Sequence, residues 1–172
     1  MSRTELRISR EMPVAVGAVV AVANDPATYP KWVAPLRSLD QSGKGTYAAR
    51  LGYMFCERTL NCTWTRKDPE IVIWEGKDET LSAHLELTIS ARGRWTTVRF
   101  DCQLDGESPL PGLAPTDEIA RLLLKGAAEY SLARLEKLAA DVEALEQQRT
   151  AERSSAQVPV RRPLVAGVGT VD

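Results

Sequence analysis

The sequence predicts an α+β domain: an antiparallel sheet of about seven strands set against one long C-terminal helix, with two short helices after the first strand. Three observations carry that expectation. Residues 80–90 alternate strictly, with Leu81, Ala83, Leu85, Leu87 and Ile89 on one face, the period of a half-buried strand. Turn residues recur between similar runs, at Ser42-Gly43-Lys44-Gly45, Lys67-Asp68-Pro69, Lys77-Asp78 and Arg92-Gly93, and connections that short join antiparallel neighbours. From Glu118 to about Gln148 no proline intervenes. There Ile119, Leu122, Leu123, Tyr130, Leu135, Leu138, Val142 and Leu145 recur mostly at spacings of three, four or seven, an apolar helical stripe.

The elements follow in order. Leu6 and Ile8 alternate with Arg7 and Ser9 in a first strand. The apolar run Val14-Ala15-Val16-Gly17-Ala18-Val19-Val20-Ala21-Val22-Ala23 comes next. Glu5 and Glu11 upstream of it are foreign to a secretory leader, and the run is far shorter than the ~20 residues that span a bilayer. It therefore reads as a helix with Pro13 in its first turn, stopped by Asn24-Asp25-Pro26. Tyr29-Pro30-Lys31-Trp32 opens a second short helix. Strands are expected at 36–41, 46–55, 57–66, 70–76, 80–90 and 95–104, with no turn residue marking the break near Cys56. Residues 106–115, with Pro109, Pro111, Gly112 and Pro115, read as a loop, and Thr116 as the N-cap of the long helix. Gly126-Ala127-Ala128 interrupts the bulky stripe of that helix and leaves space beside it. Past Arg149 the composition shifts to Arg, Ser, Pro and Gly. Four arginines there face only Glu152 and Asp172, and 149–172 read as a disordered tail, leaving 1–148 as one domain.

Composition removes several functions. In 172 residues, 44% hydrophobic and 26% charged, a soluble core forms without staples. A net charge of −1 provides no bulk attraction to nucleic acid or anionic membrane. His84 is the only histidine, which rules out zinc sites built on several imidazoles, and strand parity sends it outward beside Glu86. Gly43-Lys44-Gly45 lacks the frame of a phosphate-binding loop. No metal or cofactor is expected. Cys56, Cys62 and Cys102 show no CxxC spacing and cannot all pair, which reads as free thiols in a reducing, cytoplasmic compartment.

Several short stretches carry a resemblance: Pro13-Val14, the run from Val20 to Pro26, Tyr29-Pro30-Lys31-Trp32, Val72-Ile73-Trp74-Glu75 after Asp68-Pro69, Leu85-Glu86-Leu87, and Ala133-Arg134-Leu135. In that order, over about residues 3–148, the sequence resembles the START/SRPBCC superfamily, on its polyketide cyclase/dehydrase and coenzyme-Q-binding-protein side. The resemblance implies a helix-grip fold, in which the helix pair lies over the mouth of a cavity between sheet and long helix. It implies a hydrophobic or aromatic small molecule as partner and no membrane span; a homodimer is compatible with it.

Parity selects the site residues. Arg58, Leu60, Cys62, Trp64 and Arg66 share the face of their strand that should look inward. Arg66 there is the candidate to polarise a ketone or enolate oxygen. The resemblance implies an arginine in this strand for aromatase/cyclases, commonly in a Trp-x-Ser-x-Arg run, whereas this chain has the shorter Trp64-Thr65-Arg66. Tyr53, sharing a face with Tyr47, Ala49 and Leu51, is the second catalytic candidate, as a hydroxyl donor. Trp32, Tyr47, Trp64, Trp74, Phe100 and Tyr130 are the candidate ligand-binding wall. The expected function is polyketide cyclase/aromatase-like: binding a hydrophobic molecule internally and guiding aldol cyclisation and dehydration. The alternative is a non-catalytic protein binding a lipid, a quinone or another apolar metabolite. Arg66 beside Trp64 favours the first; the absence of an inward histidine or carboxylate favours the second.

Overall fold

The computed structural model describes residues 2–53, 56–106 and 117–157, with the side chains of residues 2, 53, 56, 117 and 120 also outside the description. Strand β1 (Ser2–Met12) leads to helix α1 (Val16–Ala23), a 3-10 turn (Pro26–Thr28) and helix α2 (Tyr29–Trp32). Strands β2 (Leu36–Gly43), β3 (Thr46–Tyr53), β4 (Cys56–Asp68), β5 (Ile71–Lys77), β6 (Leu81–Arg92) and β7 (Trp95–Gly106) follow, and helix α3 (Asp117–Ala156) closes the order. The seven strands form one antiparallel sheet in the order β1-β7-β6-β5-β4-β3-β2. Six of them are a meander, each beside its sequence neighbour; β1 alone crosses the molecule to pair with β7.

The alternation that predicts β6 is also its burial pattern, with Leu81, Ala83, Leu87 and Ile89 buried. In β7, Thr96, Val98, Cys102 and Leu104 are buried in step with them. At the end of β7 the backbone of Gly106 has φ +124°, and a Cβ there would sit 2.1 Å from the Thr80 carbonyl oxygen. Only glycine fits so close an approach.

Helix α3 packs its inner face on β1, α1 and α2. That face is Ala128, Ser131, Leu132, Leu135 and Ala139, at helical spacing. It differs from the expected bulky stripe: Ile119, Leu122, Tyr130 and Leu145 are exposed. The helix turns roughly 100° per residue, so Tyr130 lies on the side opposite Leu132. Two further expectations are corrected. The helix continues through residues 149–156, where a tail was expected. Thr150, Ser154 and Ser155 there return their hydroxyls to carbonyls four residues back, and Gln148 donates to Glu152. Pro13 stands before α1, not in its first turn, because β1 runs on to buried Met12 and Val14 is held by Thr96, whose hydroxyl donates to its carbonyl at 2.7 Å. The 106–115 loop and the Thr116 cap lie outside the described residues beyond Gly106, as does the remainder of the tail past 157.

Side-chain ties fix the helices to the sheet. Arg10 of β1 pairs with Glu136 of α3, and the Ala15 N–H donates to Glu143. Asn24 at the end of α1 donates to the carbonyls of Val20 and Pro69, at 2.9 and 2.8 Å. Among the described residues no helix is long and apolar enough to cross a membrane.

The rotated face of α3 has a measurable consequence. Leu135→Ala is expected to destabilise the protein by about 2–5 kcal/mol, and Leu122→Ala by no more than about 0.5 kcal/mol, read as midpoint shifts in urea denaturation. A larger effect at Leu122 would place the helix face wrongly.

Candidate functional site

Over part of the space between the sheet and α3 the side chains do not meet. A cavity of about 200 Å³ remains, walled on the helix side by Leu124, Ala127, Ala128 and Leu132. On the sheet side Ala49, Leu60, Cys62, Trp74, Ala83 and Phe100 face it. Tyr29, Trp32 and the segment 33–36, which contains the cis Ala34–Pro35 peptide, complete the wall. Ser131 fastens that segment to the helix: its hydroxyl accepts from the Ala34 N–H at 2.9 Å and donates to the Ala127 carbonyl at 2.7 Å.

Among the described lining residues, Arg58 is the one that is charged at neutral pH. It reaches the wall from β4 and is held by Asp78, in the turn after β5, through Nε and, at 2.8 Å, through Nη2; Nη2 also donates to Thr80. The backbone N–H groups of Thr80 and Leu81 donate to the same carboxylate at 2.8 and 2.9 Å. The Arg58 hydrogen bond, more than any other contact, holds the Asp78 carboxyl well below the usual carboxylate range. A cation in an apolar wall is costly unless it is paired in this way. The thiols are the opposite case. Burial pushes Cys62 up to about 11 and Cys102 up to about 12, so neither is a nucleophile at neutral pH.

The aromatic side chains gather at one corner. The Tyr29 ring lies 4.7 Å from Trp32 and 5.0 Å from Trp74, centre to centre. Tyr47 lies 5.4 Å, and Trp64 6.5 Å, from Trp74. Tyr29 donates its hydroxyl proton to the Ala23 carbonyl at 2.7 Å, and burial raises its pKa further above the ordinary phenol value.

The sequence candidates divide accordingly. Trp32, Trp74 and Phe100 line the cavity. Tyr47 and Trp64 stand behind it, joined to it through Trp74. Tyr130 points away, exposed, with the Arg134 guanidinium 5.6 Å over its ring. Arg66 is exposed near the far end of β4 and does not reach the lining, although it shares the strand face of Leu60 and Cys62. The Tyr53 side chain lies outside the described residues. His84 faces outward as expected, but beside Glu75 across the strand pair, 3.5 Å away. The sequence reading missed Arg58, Tyr29 and Ser131 as wall, while the small stretch it singled out on α3 does border the hollow, through Ala127 and Ala128. Arg58 was visible in principle: it shares the inward face with Leu60, and Asp78 stands in the turn that ends the following strand.

Sheet, gripped helix and apolar hollow together define a helix-grip cavity protein of the START/SRPBCC type. The chain belongs to the polyketide cyclase/dehydrase and lipid transport family, whose sequence model matches residues 3–140. Curated protein sequences include no match. Among solved structures, a START superfamily protein from Mycobacterium smegmatis is similar, with a TM-score of 0.60 at 13% identity over 82% of this chain and 98% of that one. A conserved protein from Geobacillus kaustophilus gives a TM-score of 0.66 at 14% identity, covering 81% and 96%. The Zhui aromatase/cyclase from Streptomyces sp. R1128 gives 0.60 at 13% identity, covering 83% and 94%. At these identities the likeness is one of fold.

The Arg58–Asp78 pair sets a pH dependence. Because the folded pKa of Asp78 is depressed, its contribution is complete above the unfolded carboxylate pKa of ~3.9 and is lost as pH falls through the folded value. Asp78→Asn is expected to cost about 1.5–3 kcal/mol at pH 7. In urea melts from pH 7 to pH 2 the gap between wild type and variant should hold down to about pH 4 and narrow steadily below it. A gap that stays constant with pH would detach the carboxylate charge from stability.

Proposed function

We propose that the chain takes up a small apolar molecule in the cavity between sheet and α3, with Arg58 orienting an oxygen of that molecule. One observation carries this reading: an apolar hollow of about 200 Å³ with a single charged group on its described wall. Such a space offers water few partners, and apolar cavities of about 150 Å³ in proteins stay dry and take up benzene. Ligand sites in general combine an oily wall with few, well-placed polar groups.

Arg58 also favours a second reading, aldol cyclisation. As an enolate carbon bonds to a ketone carbon, negative charge gathers on the ketone oxygen. A guanidinium already held by Asp78 stabilises that charge without reorganising, and the walls hold a flexible chain in one reactive fold. The product alkoxide then takes a proton; dehydration removes a proton from the neighbouring α-carbon, forms the C=C bond and expels the hydroxyl, protonated, as water. The described wall holds no histidine or carboxylate to move those protons, and the Tyr29 proton is committed to Ala23. Binding is therefore the conclusion and cyclisation the second reading, with Arg66 and Tyr53 entering it as sequence candidates only.

Ala128→Phe projects a ring into the hollow. It is expected to weaken binding of the neutral dye N-phenyl-1-naphthylamine roughly tenfold or more, with the circular dichroism of the fold retained. Equal dye affinity in both proteins would remove the cavity from function. On the cyclisation reading, Arg58→Gln is expected to slow closure of a poly-β-ketone mimic by about 100-fold, while Arg66→Gln stays near wild type. The reverse order would return the catalytic role to Arg66.

A further inference from the structure

Helix α3 also carries bulky apolar groups on the side turned away from the sheet. Ile119, Leu122 and Tyr130 are exposed there at 49%, 70% and 58%, and apolar groups gathered on one face mark a contact surface. Gly126 lies between them, exposed, and a Cβ built on it would meet nothing within 4 Å. Leu122, Gly126 and Tyr130 belong to one row of residues spaced four apart, which Glu118 and Arg134 extend at its two ends. Such rows are the ridges through which helices pack. This row is complementary to its own reverse. Turned end for end about Gly126, it sets Glu118 against Arg134 and Leu122 against Tyr130. Among the described residues neither charge has an ion-pair partner; Arg134 rests 5.6 Å over the Tyr130 ring. Lys125 and Glu129, on the flank, already pair with each other.

We propose that this row is the contact surface for a second copy of the chain, the two α3 helices crossing antiparallel over Gly126 on a two-fold axis. In such an interface residue i of one copy meets residue j of the other and j meets i, so each pairing occurs twice. Rows of this kind are inclined about 26° to the helix axis, so two laid along each other cross at roughly 50°. They stay together over the ~24 Å of helix from Glu118 to Arg134. At the crossing the two glycines carry no side chains, which lets the backbones approach while Leu122 and Tyr130 pack on either side. The charges choose this occupant: opposite signs at the two ends of one row are satisfied by the same row reversed. A single helix pair is a small contact beside the roughly 800 Å² per partner of stable interfaces. The dimer is therefore weak, with a dissociation constant of about 10–100 µM. Because this face points away from the hollow, the inference is independent of the cavity reading.

Sedimentation equilibrium of the full chain from about 5 to 500 µM reads the association. The wild type is expected to pass from monomer to dimer over that range, and Leu122→Glu to stay monomeric. Glu118→Arg alone sets cation against cation in both copies of the end pairing, and Arg134→Glu alone sets anion against anion. Each is expected to weaken the dimer about tenfold, with the circular dichroism of the fold retained. An equimolar mixture of these two variants restores opposite charges at both ends, as does the double variant. Both should associate about as tightly as the wild type. A monomer at every concentration would overturn the proposal and leave the stripe to another segment of the chain or a different partner. A dimer indifferent to these substitutions, or single variants that mixing does not rescue, would overturn it equally.

Discussion

The site exists because small side chains stand on both sides of the space between helix and sheet. Ala127 and Ala128 of α3 and Ala49 and Ala83 of the sheet all border it. A helix carrying leucines at those two positions would close on the sheet and gain the dispersion and burial that close packing brings. The packing that is given up there is recovered around it. Met12, Val19, Val72, Val98 and Leu135 are fully buried in one contiguous core that also takes in residues of the cavity wall. Gly76 belongs to the same arrangement: a Cβ there would lie 2.9 Å from the Cys62 sulfur, so a larger residue would push that wall inward.

An apolar hollow also constrains what polar chemistry it can host. The charged group on its described wall, Arg58, is stable there because Asp78 is itself held by two backbone N–H groups and the guanidinium. The turn after β5 therefore acts as a fixed counter-charge, and the cation costs little to keep in place. Family membership is compatible with both transport and catalysis, since one fold hosts many activities. The chemistry of the wall, not the architecture, separates them.

The strands were legible in the sequence because period-two alternation is a local signal, and Leu81, Ala83, Leu87 and Ile89 keep it through to burial. Parity likewise placed Trp64, Cys62 and Leu60 on one face. It could not say which part of β4 borders the hollow, because Arg58 and Arg66 have the same parity. That depends on where the rest of the fold closes over the sheet. The helix was misread for a different reason. Counting bulky residues drew Tyr130 and Leu122 into the inner face, whereas the true face sets Leu132 and Leu135 among Ala128, Ser131 and Ala139, three residues too small to register in a hydrophobic pattern. A site made by absence of volume is hard to see in a string of letters.

The placement of β1 bears on how the chain comes off the ribosome. Its Arg7 meets Asp101 of β7, 94 residues later. At synthesis rates of ~5–20 residues per second, the first strand waits roughly 5–20 s for its partner, while β2 onward can zip hairpin by hairpin as it emerges. During that interval an unpaired N-terminal segment bearing Leu6 and Ile8 is open to chaperones, and the flanking Arg3, Arg7 and Arg10 give it the charge that keeps a solitary strand from finding the wrong edge.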